Sequence, residues 1–343
     1  MESINSAKRN IMGTRLEMAK LCSFLGKDPW VLSANAAYDS CSDPSVTVIV
    51  TLYNYSEYIQ ECLDSVCATV TDGLPGGFDV LVIDDCSTDK SASLVEEYIH
   101  QVDTPICLVK KIYNTGLADA RNCGLKMARA PFVFILDADN WIYPNCLEIL
   151  YQGINESGCA AVYGIINCFC NKTGKGVGLN SFYEWDVREL LSGPYIDAMA
   201  MFKKDILLRV GGYSSELMLV AWSGWEDYDL WLNLAQSGYS AKLVPQIVSS
   251  YRVHPTSMIN TTNIYTDILV QYFRQKFVKL IEQYQDLDTV FGMPRHIEIS
   301  TENCAMVQLR EAKALIEAME TSKFWKLRTR WFKIKKLVGI TNH

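Results

Sequence analysis

The sequence predicts an α/β fold built on a largely parallel sheet, and three observations carry that prediction. Short apolar runs rich in β-branched residues fall at 45–52, 79–83, 106–112 and 132–136. Segments with helical spacing separate them, and each run stops at polar or acidic residues. Strand and helix alternating in this way form βαβ units, whose strands are buried on both faces and so read as continuous apolar stretches.

Taken in order, residues 1–42 carry scattered charge and one apolar cluster (Leu21, Cys22, Phe24, Leu25), which reads as an N-terminal helix and linker. The strand at 45–52 ends in Tyr53-Asn54-Tyr55. The helix after it, 57–70, places Ile59, Leu63, Val66 and Val70 on one face. The cluster Gly73-Leu-Pro-Gly-Gly77 makes a turn into the strand at 79–83, which ends in Asp84-Asp85. Ser87 or Thr88 can cap the helix holding Leu94, Val95, Tyr98 and Ile99. The third strand leads through Asn114 to Gly124 into another helix, and the fourth strand ends at Asp137-Ala138-Asp139.

Beyond Asp139 the rhythm loosens. A helix is expected at 147–151, one or two strands at 160–170, a surface hairpin at the glycine-rich 171–178, a strand at 198–202 and a short helix at 204–210. The loop at 171–178 lacks the spacing of a nucleotide-binding P-loop. Residues 222–234 begin as a loop and continue as a helix, 243–251 form a strand, and 262–285 and 302–320 are helical. These patterns divide the chain into an extension (1–42), a main domain (43–260, with halves 43–140 and 141–260), C-terminal helices (261–322) and a tail (323–343).

Composition narrows the function. A chain of 343 residues, 49% hydrophobic, can bury one large core or two linked ones. A net charge of −7 with no dominant basic domain argues against nucleic acid as partner. No apolar stretch approaches the ~20 residues that cross a bilayer, and the start lacks a secretory pattern. A cytoplasmic protein is expected, soluble or peripheral at the inner face of a membrane. Most of the 12 cysteines sit singly in apolar stretches, as reduced thiols do, and Cys168 and Cys170 are too close for zinc spacing. In the tail, Phe324, Leu327, Trp331, Ile334 and Val338 form one stripe beside Lys323, Lys326, Arg330, Lys333 and Lys336. Residues 323–338 can therefore lie on an anionic membrane surface, or dock on the main domain with a solvated basic edge.

The chemistry gathers at Asp137 and Asp139. In open α/β sheets ligands bind beyond the carboxyl ends of the strands, and two carboxylates there suit a hard divalent cation that shares its oxygens with phosphates. The alternative is a plain strand end capping the next helix.

Five motifs in fixed order extend this reading: Thr51-Leu-Tyr-Asn54, Asp84-Asp-Cys-Ser-Thr-Asp89, Asn114 to Gly124, Asp137-Ala-Asp139 and Trp225-Glu-Asp227. Over about residues 45–260 the chain closely resembles glycosyltransferase family 2, inverting sugar transferases with the GT-A (nucleotide-diphospho-sugar transferase) fold. The resemblance implies a nucleoside diphosphate sugar as donor, a UDP-sugar first among them, and manganese or magnesium as cofactor. The acceptor would be a glycan, a lipid-linked sugar or a protein. On the donor side it implies Tyr53 against the base, Thr51 beside it, and Asp85 on the ring N–H with Asp84 on the ribose, or the reverse. Arg121 would neutralise phosphate or brace the base-binding loop, unless it is a surface arginine in a helical ion pair. Asp139 would bind the metal, Asp137 the ribose or the metal, and His254 would add a metal ligand or serve the fold. Asp227 matches the general base, held ionised and weakened in basicity by the helix it opens. Glu226 would bind acceptor hydroxyls or orient Asp227. Trp222, Trp225 and Tyr228 would stack on acceptor sugars, while Trp231 belongs to the core. Two other readings stay open: a non-catalytic binder of nucleotide-sugar or glycan, and a nucleotidyltransferase.

Overall fold

A computed structural model of the chain describes residues 4–217, 224–254 and 266–295, with backbone alone for 4–10. Helix α1 (Ile4–Phe24) comes first, then strand β1 (Trp30–Ala34) and helix α2 (Ala36–Ser40). The first half continues as β2 (Val46–Leu52), α3 (Ile59–Cys67), β3 (Phe78–Asp84), α4 (Ser91–Ile99), β4 (Ile106–Lys111), α5 (Leu117–Met127) and β5 (Phe132–Asp137). Strands β2 to β5 pair in parallel in the spatial order β4-β3-β2-β5. Every residue of β2 and β3 is buried, which is why their sequences show no polar alternation.

The second half is mixed rather than parallel. It runs through β6 (Trp141–Ile142), α6 (Cys146–Ser157), β7 (Ala161–Cys170), β8 (Gly176–Asn180), α7 (Val187–Ser192), β9 (Ala200–Lys203) and α8 (Lys204–Arg209). Then come α9 (Glu226–Gln236), β10 (Ala241–Val253), α10 (Thr266–Lys276), α11 (Val278–Gln283), and a small hairpin of β11 (Thr289–Val290) and β12 (Met293–Pro294). The sheet extends past β5 as β9-β7-β10-β6, with β8 hairpinned onto β7. Strand β9 lies antiparallel between β5 and β7, and β10 runs parallel to β7.

One expectation is corrected here. Residues 30–34 are no linker: β1 closes the sheet edge antiparallel to β4, and Asn35 locks it there, accepting from Ile106 N–H and donating to the Thr104 carbonyl. The helical pattern expected at 262–285 is met, among the described residues, by α10 and α11. The expected helix at 302–320 and the basic tail at 323–338 lie outside the described residues.

Apolar side chains pack on both faces of the sheet. One contact bears directly on the site. A Cβ at Gly124 of α5 would fall 2.5 Å from the Ile49 side chain, so glycine lets the helix settle onto β2. That close approach brings the start of α5 up to the carboxyl ends of the strands. On the far side, Asp229 of α9 is buried and paired with Lys276 at 2.7 Å, fastening α9 to α10.

Candidate active site

A cleft of about 540 Å³ opens at the carboxyl ends of the strands, a size that suits a small-molecule ligand. Thr51, Tyr53, Asp85, Arg121, Asp137 and Asp139 line it from the first half, and Trp225, Glu226 and Asp227 from the second. The sequence motifs therefore meet in space.

At the Tyr53 and Asp85 end of the cleft, the loops after β2 and β3 are stitched together. Asn54, in the left-handed region at φ 58°, accepts from Thr88 N–H at 2.7 Å, while its own N–H donates to Ser87 Oγ. Asp85 accepts from Gly116 N–H at 2.7 Å and Thr115 N–H at 3.1 Å, and pairs with the buried Lys111 ammonium at 2.8 Å. Burial pulls the Lys111 pKa down, but Asp85 and Asp119 outweigh it and the ammonium is held above its usual value. Asp84 departs from the expectation of a donor contact. It is not part of the cleft wall, and both its oxygens take the Ser87 N–H, closing its own turn. Burial, with Asp85 nearby, raises its pKa despite those hydrogen bonds.

Arg121 is buried, 1% exposed, which rules out a surface pair. Its guanidinium forks onto Asp137 at 2.9 and 3.1 Å and reaches Glu226 at 3.3 Å, while Tyr213 lies beneath it with 5.1 Å to the ring centroid. Asp137 also accepts from the Thr51 hydroxyl at 2.6 Å, its partner in the β2–β5 ladder. Arg121 thus joins the acidic strand end of one half to the helix start of the other.

Asp139 and His254 are both nearly buried and stand 2.8 Å apart, carboxylate Oδ2 to ring Nε2. Tyr55 meets the imidazole edge-on, and Arg252 donates to the Asp139 carbonyl at 2.8 Å. Burial raises the Asp139 pKa, against the His254 hydrogen bond. Among the described residues no group of three or more acid, histidine or cysteine side chains could cage a metal. The Asp139–His254 pair still fits a divalent cation that draws its other ligands from a diphosphate and water. Asp137 fits less well, because its oxygens already serve Arg121 and Thr51.

Trp225 precedes α9 in the left-handed region, φ 59°, and turns Glu226 and Asp227 into the cleft. Glu226 is raised by burial and by Asp227, against the pull of Arg121. Asp227 is likewise raised, by burial first and by Asp197 second. The expectation that the helix start weakens its basicity is overturned, because desolvation and a neighbouring carboxylate dominate. Tyr228 is also corrected. It is 1% exposed, donates its hydroxyl to the Leu190 carbonyl and packs on Trp225 and Phe273, so it belongs to the core together with Trp231. Trp222 lies outside the described residues. The sequence reading missed Asp197, Tyr195 and Tyr251 on the cleft wall, and Met12 of α1, because none sits in a motif.

Residues 47–211 match the sequence profile described as glycosyl transferase family 2. Over those residues, a little under half of its length, the chain is similar to the family 2 glycosyltransferases. An uncharacterized glycosyltransferase of Haemophilus influenzae is 25% identical over 250 residues, spanning 71% of this chain and 80% of its own. The Escherichia coli UDP-Glc:alpha-D-GlcNAc-diphosphoundecaprenol beta-1,3-glucosyltransferase WfaP is 27% identical over 224 residues, 62% of this chain and 79% of its own. Among solved structures, the mannosyltransferase PcManGT of Pyrobaculum calidifontis, in complex with GDP-Man and Mn2+, aligns with a TM-score of 0.53 at 22% identity. That alignment covers 97% of this chain and 90% of PcManGT. The fold of this glycosyltransferase is GT-A.

Proposed function

We propose that this glycosyltransferase moves a sugar, with inversion, from a UDP-sugar to a hydroxyl of a lipid-linked sugar. Residues 43–140 would hold the donor and 141–260 the acceptor. The observation that carries the reading is the meeting, in one cleft, of Tyr53 and Asp85 with the Asp139–His254 pair and the Asp227 carboxylate. The kinship with WfaP supports the donor and acceptor classes, and a lipid-linked acceptor would bring the reaction to a membrane surface.

In this reading Tyr53, 44% exposed, offers its ring to the base, and Asp85 stands at the same end, fixed by Lys111. Asp139 and His254 would hold a manganese or magnesium ion, which would supply positive charge to the departing diphosphate. The acceptor oxygen forms its bond to the anomeric carbon while the bond to the phosphate oxygen breaks. The nucleoside diphosphate leaves with that electron pair, and Asp227 takes the acceptor proton. Its raised pKa improves it as a base while leaving it ionised near neutral pH. Arg121, fixed between Asp137 and Glu226, holds the donor and acceptor walls in register.

Two measurements test this. Thermal shift with a panel of nucleoside diphosphates and manganese should show stabilisation by UDP; a flat response to all of them would remove the donor reading. Transfer from UDP-glucose should fall ~10²- to 10⁴-fold in Asp227→Asn with UDP stabilisation kept; unchanged turnover would remove the base.

A further inference from the structure

Among the described residues the acids of the cleft wall are Asp85, Asp137, Asp139, Asp197, Glu226 and Asp227, and the one lining base is Arg121. Most of these carboxylates are already held by a cation or a ring. Lys111 holds Asp85, Arg121 holds Asp137 and Glu226, and His254 faces Asp139. Two differ. Among the described residues Asp227 receives only its neighbour's Tyr228 N–H, at 2.7 Å, and Asp197 only the Met199 N–H, at 3.0 Å. Asp197 sits on the loop leading into β9, pinned by its own N–H to Ser181 Oγ at 2.9 Å, between the lining residues Ile196 and Ala198. A carboxylate has about four lone-pair positions, so most of the acceptor capacity of Asp197 faces the cleft unused. Asp197 and Asp227 are each half-buried, so their free oxygens stand open to the cleft, where a ligand's hydroxyl donors can reach them.

We propose that Asp197 is the acceptor-specificity residue of this enzyme, taking a hydroxyl of the acceptor sugar next to the one Asp227 deprotonates and excluding sugars that carry a carboxylate there. This rests on the reading of Asp227 as base, and it deepens that reading by naming the acceptor class: an uncharged hexose or N-acetylhexosamine. Two carboxylates without cationic partners accept hydroxyl donors well and repel an anion at short range in a wall of low polarity. Burial first, then Asp137 and Asp139, push the Asp197 pKa up to about 6, as expected where negative charge is crowded.

The test is ligand-observed NMR with methyl glucoside, methyl N-acetylglucosaminide and methyl glucuronide, with UDP and manganese present, on wild type, Asp197→Asn and Asp197→Glu. Wild type should bind a neutral glycoside at least ~10-fold better than the glucuronide, the size of one charge-assisted hydrogen bond. Asp197→Asn should lose most of that preference, weakening the neutral sugars and admitting the glucuronide, and Asp197→Glu should keep it. Equal preference in wild type and Asp197→Asn, or no glycoside binding to wild type, overturns the proposal. UDP stabilisation of the same samples tests the donor reading separately, so the two failures are distinguishable.

Discussion

The two ends of the cleft use the same chemical group in opposite ways. At the proposed donor end Asp85 and Asp137 are saturated by backbone N–H groups, Lys111, Thr51 and Arg121. At the proposed acceptor end Asp197 and Asp227 have one backbone donor each and raised pKa values. Saturated carboxylates are rigid and unreactive, as suits the recognition of a nucleotide. Sparsely bonded, desolvated ones are proton acceptors, as suits the capture of a hydroxyl. Local bonding thus divides a run of acids into structural and chemical members.

The largest effect expected from breaking this contrast is at Arg121. Arg121→Met leaves Asp137 and Glu226 without their buried cation, and the loss of one partner of such a pair costs ~3–5 kcal/mol. The midpoint of urea unfolding should fall accordingly. If it stays put, the guanidinium is not the brace between the halves.

A smaller effect concerns pH. Asp197 and Asp227 are raised above the ordinary carboxylate range, so the folded chain binds more protons than the unfolded chain between that range and about pH 6. Their contribution to stability is therefore full at low pH and lost as pH rises through that window. Stability measured from pH 4 to 7 should decline less in Asp197→Asn than in wild type. The acid limb of kcat/KM should also lie above the ordinary carboxylate range, because Asp227 must ionise. Asp197 and Asp137 push that limb up and Arg121 pulls it down, so Asp197→Asn should move it to lower pH. An unmoved limb would separate the two carboxylates.

The smallest effect sharpens the contrast between wall and core. Tyr228→Phe removes a buried hydroxyl from the Leu190 carbonyl and should cost about 1 kcal/mol, with UDP stabilisation unchanged. Lost nucleotide binding in this variant would return Tyr228 to the site.

The strand ends were legible in the sequence because a strand buried on both faces writes itself as an unbroken apolar run, and its end as the first acid after it. Asp137 and Asp139 were read in this way, whereas Thr51, Asp85 and Asp227 came from the resemblance to the family. Asp197 was found in neither way, because it interrupts Tyr195-Ile-Asp-Ala198 without a motif and gains its meaning only from the loop that brings it to the cleft wall. Strand β1 was missed because its five residues are half-buried or exposed and carry no alternation. Asp84 and Tyr228 were overread for one reason: adjacency in a motif says nothing about which way a side chain turns. The antiparallel insertion of β9 between β5 and β7 likewise depends on packing across the sheet, beyond the reach of local pattern.

Asp139 and His254 are 115 positions apart in the chain, yet their side chains touch. A cation seated between them would act as a reversible staple across that span, tying the last long strand to the turn after β5. Because the unfolded chain offers no such paired site, the staple would favour only the folded form, by an amount that grows with the free ion concentration. Chelation would then loosen the far edge of the sheet as well as halt turnover, so that metal supply and the lifetime of the enzyme become one variable.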